Sequence, residues 1–168
     1  MRRLCAVAWL LLWALPAQAA APSLLVLPLE MTDTSGEANP RVQEHAARLA
    51  ALAQQLGQDI QADGIYRVVD SGPIRAEIDK IRASQSLSDC NGCALDLARR
   101  LHVERVLVGE VYKVSTLIGS MRLDIIDVAT GRTIFHRGLD FRGDTDDAWR
   151  HAARFFVRDL AGLATEKR

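Results

Sequence analysis

Cysteine is sparse in this 168-residue chain: Cys5, Cys90 and Cys93 are the only three. Ala94 rather than histidine follows Cys93, which excludes c-type haem attachment. Proline is absent after Pro73. A thioredoxin-like fold places a cis-proline opposite its cysteines and sets them after a buried strand, whereas Ser84 to Asp89 is polar, so both features argue against it. Charge of one sign is not in excess, with 21 basic and 21 acidic residues. That balance gives no global pull toward nucleic acid or an anionic membrane. No apolar run beyond the first twenty residues is long enough to cross a bilayer. There is no Gly-Lys-Ser/Thr phosphate loop, no G-x-S-x-G or Ser-His-Asp set, and no D-x-D-x-D-G calcium loop. The four histidines, His45, His102, His136 and His151, include no H-x-x-x-H pair.

What is there begins with a leader. Arg2 and Arg3 precede the apolar stretch Leu4 to Leu15, Pro16 breaks it, and Ala17-Gln18-Ala19 has the form of a cleavage site. Residues 1–19 are therefore expected to be a cleaved signal peptide and 20–168 a single domain in the periplasm, with no stable membrane insertion after cleavage. Cys5 lies inside the apolar stretch, too early to be an acylation site. Loss of the leader's two arginines leaves the mature chain with two more acidic than basic residues. Cys90 and Cys93 are then its only cysteines, in a compartment that permits disulfides.

Apolar periodicity outlines the rest. Leu24 to Leu29 has strand length, with Pro28 marking an end or an edge. Thr32 to Asn39 reads as a polar loop, and Asn39-Pro40 as a helix start. Val42, Ala46, Leu49, Ala53, Leu56 and Ile60 then recur at helical spacing until Gly64. Ile65 to Val69 is a second strand, and Gly72-Pro73 opens a helix carrying Ile74, Ile78 and Ile81. A polar loop over Ser84 to Gly92 leads to a third helix starting at Cys93, with Ala94, Leu97, Ala98 and Leu101 on one face. Val106-Leu107-Val108 has the continuous apolar character of a strand covered on both faces. Its continuation through Glu110, Val111, Tyr112 and Lys113 reads as half exposed. Met121, Leu123 and Ile125 alternate with polar residues, and the parity switch at Ile126 and Val128 predicts a bulge or coverage of the second face there. Ala129 to Arg132 is a hairpin turn, and Phe135, Leu139 and Phe141 share parity on the returning strand. Asp144 is the expected cap of a last helix, with Asp146 and Asp147 in its first turn. Trp149, Ala152, Ala153, Phe156, Leu160 and Leu163 form that helix's apolar face.

The order is β-α-β-α-α-β-β-β-α. Helical crossovers make the early strands parallel and hairpins make the later ones antiparallel. The expected fold is mixed α/β, one mixed parallel/antiparallel sheet with packed helices.

Three segments carry a resemblance: Leu24 to Leu29, Gly64 to Asp70, and Leu97 to Val111. An apolar first strand, a "G-aromatic-x-V-V" strand and an "A-x-x-L-G-A-x-x-V-L-x-G-x-V" helix-strand unit resemble the N-terminal domain of TolB and the periplasmic domain of the curli secretion protein CsgG. The mature chain, with Cys90-Asn91-Gly92-Cys93 and the Gly143 to Trp149 helix start, also resembles a family of small secreted Gram-negative proteins of unknown function. His102 departs from the pattern, standing where glycine is usual, and must accept a left-handed conformation. The membrane-inserting strands and lipid anchor of CsgG and the propeller of TolB have no counterpart, so the resemblance implies neither a pore nor a propeller.

Cys90 and Cys93 are expected to form a structural disulfide that pins the loop to the helix start. Two other readings stay open. A helix N-terminus lowers a thiol pKa, which suits redox chemistry at Cys93, and reduced cysteines with two histidines form a zinc donor set. Each histidine alone reads as a surface or cap residue. Asp140, Asp144, Asp146 and Asp147 form an acidic cluster, and helix capping explains three of the four. Arg150, Arg154 and Arg158 recur every four residues, as a solvated face paired with nearby acids or as a patch for an acidic partner. The Thr32 to Asn39 loop lies where open α/β sheets bind ligands. The function expected is that of a non-enzymatic periplasmic adaptor with an envelope protein partner, no cofactor and no nucleic acid. It would engage that partner by a sheet edge or the loops after the early strands. The alternative is a small thiol-disulfide or metal-handling protein using Cys90 and Cys93.

Overall fold

In the computed structural model, residues 20–38 and 41–166 are described; the expected signal segment and the Asn39-Pro40 helix start lie outside them. The elements are β1 (Ser23–Val26), β2 (Glu30–Asp33), α1 (Val42–Ala62), β3 (Arg67–Val69), a 3-10 turn (Gly72–Ile74), α2 (Arg75–Arg82), α3 (Cys93–Arg100), β4 (Arg105–Lys113), β5 (Ile118–Asp127), β6 (Thr133–Arg142) and α4 (Asp146–Glu166). They form one six-stranded sheet in the order β3-β1-β4-β5-β6, with β2 also paired to β4. β1 runs parallel to β3 and β4, and β5 is antiparallel to both β4 and β6. The expected mixed sheet is the one observed. α1 and α4 pack on one face around Leu24, Leu56, Leu107, Met121, Leu123, Trp149 and Phe156. α2 and α3 cover part of the other face around Leu25, Leu27, Ile78, Leu97 and Val106.

Two helices end the same way. Gly64 has φ +66, and the Gly64 and Ile65 amides donate to the Gln61 and Ile60 carbonyls. This is a Schellman ending, and it holds Ile65 at the helix end, so β3 starts at Arg67 rather than at the expected Ile65. The end of α3 repeats the pattern with His102 at φ 51: His102 and Val103 donate to Arg99 and Ala98. The expected left-handed histidine is there.

β2 is the element that the sequence pattern hides. Val26 lies opposite Leu107 and Glu30 opposite Glu110. Four steps along the first strand thus match three along β4, which inserts one extra residue around Pro28. This bulge reverses the alternation. Leu29 joins the core of Leu24, while Glu30 is displaced to the face opposite α1. Gly109 makes room for it, because a Cβ there would lie against Leu123 and 2.6 Å from Leu29 Cδ2. The expected Thr32 to Asn39 loop is therefore shorter, since Thr32 and Asp33 are strand. The irregularity expected near Ile126 is present as a register shift between β5 and β6 at Ile125/Ile126.

The buried stripe of α1 is also rotated from the expected one. His45, Arg48, Leu49, Leu52, Leu56, Gly57 and Ile60 are its buried residues, whereas Val42 and Ala46 are exposed. The cause is the N-terminal end of α4, which packs against α1 and supplies carboxylates for His45 and Arg48.

Candidate functional site

Among the described residues, β2 pairs with β4 alone, on one side. The Thr34 amide donates to Lys113 O, so by strand alternation the backbone groups of Thr32 and Glu30 also face β4, and those of Met31 and Asp33 face outward. Along that outer edge runs a cleft of about 780 Å³. One wall is α1, through Val42, His45, Ala46 and Leu49; the other is the end of α2 and the following loop, through Asp79, Arg82, Gln85, Ser86 and Asp89. A second cleft of about 770 Å³ continues it past Pro28 to the end of β3, with Asp79 and Arg82 in both.

The register of β2 on β4 sets Glu30 beside Glu110 on one face. Their side chains are 14% and 6% exposed. Like charges on neighbouring strands oppose each other, and hydrogen bonds offset part of the cost. Glu110 accepts from Thr32 Oγ1 at 2.6 Å and from Tyr112 Oη at 2.5 Å. Glu30 accepts from Ser86 Oγ and from the Ser88 amide at 3.2 Å. Ser88 Oγ lies 3.4 Å from both carboxylates. Arg122 and Arg82 stand at the margins, 3.5 Å from Glu110 and 3.9 Å from Glu30. The hydrogen bond to Glu110, with burial second, pushes the Tyr112 phenol up. No histidine among the described residues reaches the Ser86 or Ser88 hydroxyl, and no group of three or more His, Cys, Asp or Glu among them is arranged to hold a metal ion.

Behind the α1 wall lies a buried charged network. Asp144 was expected to cap α4, but Thr145 does so, its hydroxyl accepting from the Ala148 amide at 3.2 Å. Asp144 instead accepts from Arg41 at 2.5 Å, Arg48 at 2.6 Å and His45 Nε2 at 2.7 Å, with Lys113 Nζ 3.8 Å away. Burial pulls its pKa up more than any other single influence, but the hydrogen bond and charge of His45 and the charges of Arg48 and Arg41 together hold it below the usual carboxylate range. Lys113 is 2% exposed and reaches Glu37 at 2.5 Å and Asp33 at 3.4 Å. Burial pulls its pKa down, and the hydrogen bonds to Glu37 and Asp33 outweigh that. Glu110 and Lys113 are thus buried, not half exposed as their alternation implied, because the loops after β2 and α2 fold over them. His45, expected at the surface, is 1% exposed, and its Nδ1 has no hydrogen-bond partner. The available signal was phase: His45 and Arg48 share the helical stripe of Leu49, Leu52 and Leu56, and Lys113 shares the parity of Leu107 and Val111.

Cys90 and Cys93 are joined, with Cα atoms 5.7 Å apart, and tie the loop that carries Ser86, Ser88 and Asp89 to the start of α3. Arg150, Arg154 and Arg158 are exposed on α4, away from the cleft. Arg150 pairs with Asp147, Arg154 lies 3.4 Å from His151 Nδ1, and Arg158 covers the Phe155 ring at 4.2 Å. Asp146, the partner expected for this stripe, binds Arg48 at 2.6 Å.

Comparison with known proteins adds a family. The model of DUF3280, described as "Protein of unknown function (DUF2380)", matches residues 22–160. The chain belongs to this family. No curated protein matches it significantly. Several solved structures share the fold of this DUF3280 member at low identity. Lipoprotein GNA1162 from Neisseria meningitidis is 18% identical over 83% of this chain and 96% of its own, with a TM-score of 0.52. The hypothetical protein CT253 from Chlamydia trachomatis is 12% identical over 86% and 98%, with a TM-score of 0.54. TolB from Acinetobacter baumannii is 12% identical over 86% of this chain but only 28% of its own, with a TM-score of 0.51. Among the described residues of the DUF3280 chain, no helix is long and apolar enough to cross a membrane.

Proposed function

We propose that this DUF3280 protein is a non-enzymatic periplasmic adaptor of the bacterial envelope that holds an extended segment of an envelope protein along β2. The observation that carries the reading is the unpaired outer edge of β2 facing the cleft. Unpaired backbone groups in a strand are a template for another strand, and the α1 and α2 walls would cover both faces of an added one. The leader-like first residues and a fold shared with a protein named as a lipoprotein support an envelope location. The pattern shared with the CsgG periplasmic domain belongs to the same reading. The α4 arginines, Arg150, Arg154 and Arg158, are proposed as a secondary contact for an acidic partner.

The test is crosslinked capture from intact periplasm with C-terminally tagged protein. Ala46 is exposed on the cleft wall and Ala47 lies on the other side of α1. Ala46→Trp is expected to lose the captured protein and Ala47→Trp to keep it. Equal capture by both would overturn the reading. Arg154→Glu in the same assay tests the arginine stripe.

The joint substitution Cys90→Ala with Cys93→Ala is expected to lower stability by about 1–2 kcal/mol, the value for so short a loop, and to leave capture unchanged. Leu87, 2% exposed, and the Ser86 and Ser88 bonds to Glu30 still hold the loop. Lost capture with unchanged melting would favour the thiol-disulfide alternative.

A further inference from the structure

We propose that the segment received by β2 is basic, with a Lys or Arg side chain placed over the Glu30–Glu110 pair while its backbone pairs with Met31 and Asp33; this rests on the adaptor reading above. Three observations support it. Glu30 and Glu110 are held side by side by the sheet register, largely out of water, with their nearest guanidiniums only at the margins. A cation between them would remove the repulsion that the hydrogen bonds only reduce. The cleft lining has five carboxylates, the other three being Asp33, Asp79 and Asp89, and one guanidinium, Arg82; Lys113 and Arg122 reach Asp33 and Glu110 from outside the lining.

The third observation is independent of charge count. His45 bounds the same cleft from α1 and is 1% exposed. Its Nε2 must donate to Asp144, since an ionised carboxylate only accepts. Its Nδ1 is buried and has no hydrogen-bond partner. The two carboxylates of the pair therefore ask for an N–H donor, and the outward backbone groups of Met31 and Asp33 for an extended strand.

Strand alternation converts this into a sequence pattern. A residue lying beside Glu30 in an added strand shares the face of the two glutamates and should be Lys or Arg. The next one faces α1, where Ala46 and Leu49 suit a β-branched residue such as threonine or valine.

The probe is a capped hexapeptide, Lys-Thr-Lys-Val-Lys-Thr, titrated into the mature protein and followed by amide NMR. The expected result is saturable binding that shifts the Met31 and Asp33 amides, weakens with salt, and is lost when alternate peptide amides are N-methylated. Glu30→Gln should weaken it about tenfold, the equivalent of one charge-assisted contact, and Ala46→Trp should abolish it. Equal binding of the Glu-Thr-Glu-Val-Glu-Thr peptide overturns the proposal. So does equal binding of lysine amide or of the N-methylated peptide, which would indicate a small-amine site. Self-association that excludes the peptide would make a second copy the occupant and overturn it too. Capture that depends on Ala46 without a preference for basic peptides leaves the adaptor reading standing and removes this one; capture indifferent to Ala46→Trp removes both.

Discussion

Trp149→Ala is expected to lower folding stability by about 3–5 kcal/mol, the range for truncating a large buried aromatic, and the melting temperature by on the order of 10 °C. Trp149 is 1% exposed and joins three elements. Its ring lies 5.9 Å from Phe141 on β6, stacks on His45 of α1 at 6.1 Å, and lies 5.1 Å beneath the Arg48 guanidinium. Alanine would leave a cavity at the junction of α1, α4 and the sheet, and would remove the ring that positions His45. Trp149→Phe is expected to cost less, because it keeps an aromatic surface and removes an indole N–H that has no hydrogen-bond partner. Urea denaturation of both variants measures this. A loss below about 1 kcal/mol for alanine would mean that α4 is not anchored by this residue.

Asp144→Ala is expected to cost about 3 kcal/mol, the low end for breaking a buried ion pair. It leaves Arg48 and Lys113 buried without their shared carboxylate, but Arg48 keeps Asp146 and Glu44, and Lys113 keeps Asp33 and Glu37. The pH dependence gives a second readout. The folded pKa of Asp144 is depressed, so the unfolded chain binds the proton more readily. Its contribution is fully present above the unfolded value near 4 and is lost as pH falls through the lower folded value. Stability of the native protein should therefore fall as pH drops below about 5, and Asp144→Asn should flatten that slope by about one proton. The slope should not vanish, because hydrogen bonds from Ser35, Ser23 and Thr130 hold Asp33, Glu104 and Asp127 low as well. An unchanged slope in Asp144→Asn would mean that the carboxylate is not ionised in the network.

These two residues show what was legible. Trp149 declares itself through helical spacing with Ala152, Ala153, Phe156 and Leu160, and all five are buried. The same logic fails at Leu163, which is 36% exposed near the end of α4. Asp144 misleads, because an acid just before a helix satisfies the local rule for a cap. A partner in α1, 96 residues away at Arg48, overrides that rule. A lone histidine is usually a surface or cap residue, but the phase of His45 in α1 sets it with the core.

Sequence determined the helices, five of the six strands, the parallel and antiparallel pairing, the parity switch after Ile125 and most of the apolar faces of α3 and α4, and the resemblance added the left-handed His102. Each depends on period, turn chemistry or the type of connection between successive elements, where local sterics and side-chain alternation dominate. Tertiary structure alone decided the proposed site. A single extra residue at Pro28 reverses the alternation, and only pairing with β4 shows that β2 is a strand and that Glu30 lies beside Glu110. Burial of Glu110, Lys113 and His45 depends on loops and helix ends that arrive from distant parts of the chain. No local pattern encodes such closure, because the energy that permits a buried charge comes from partners brought together by the fold.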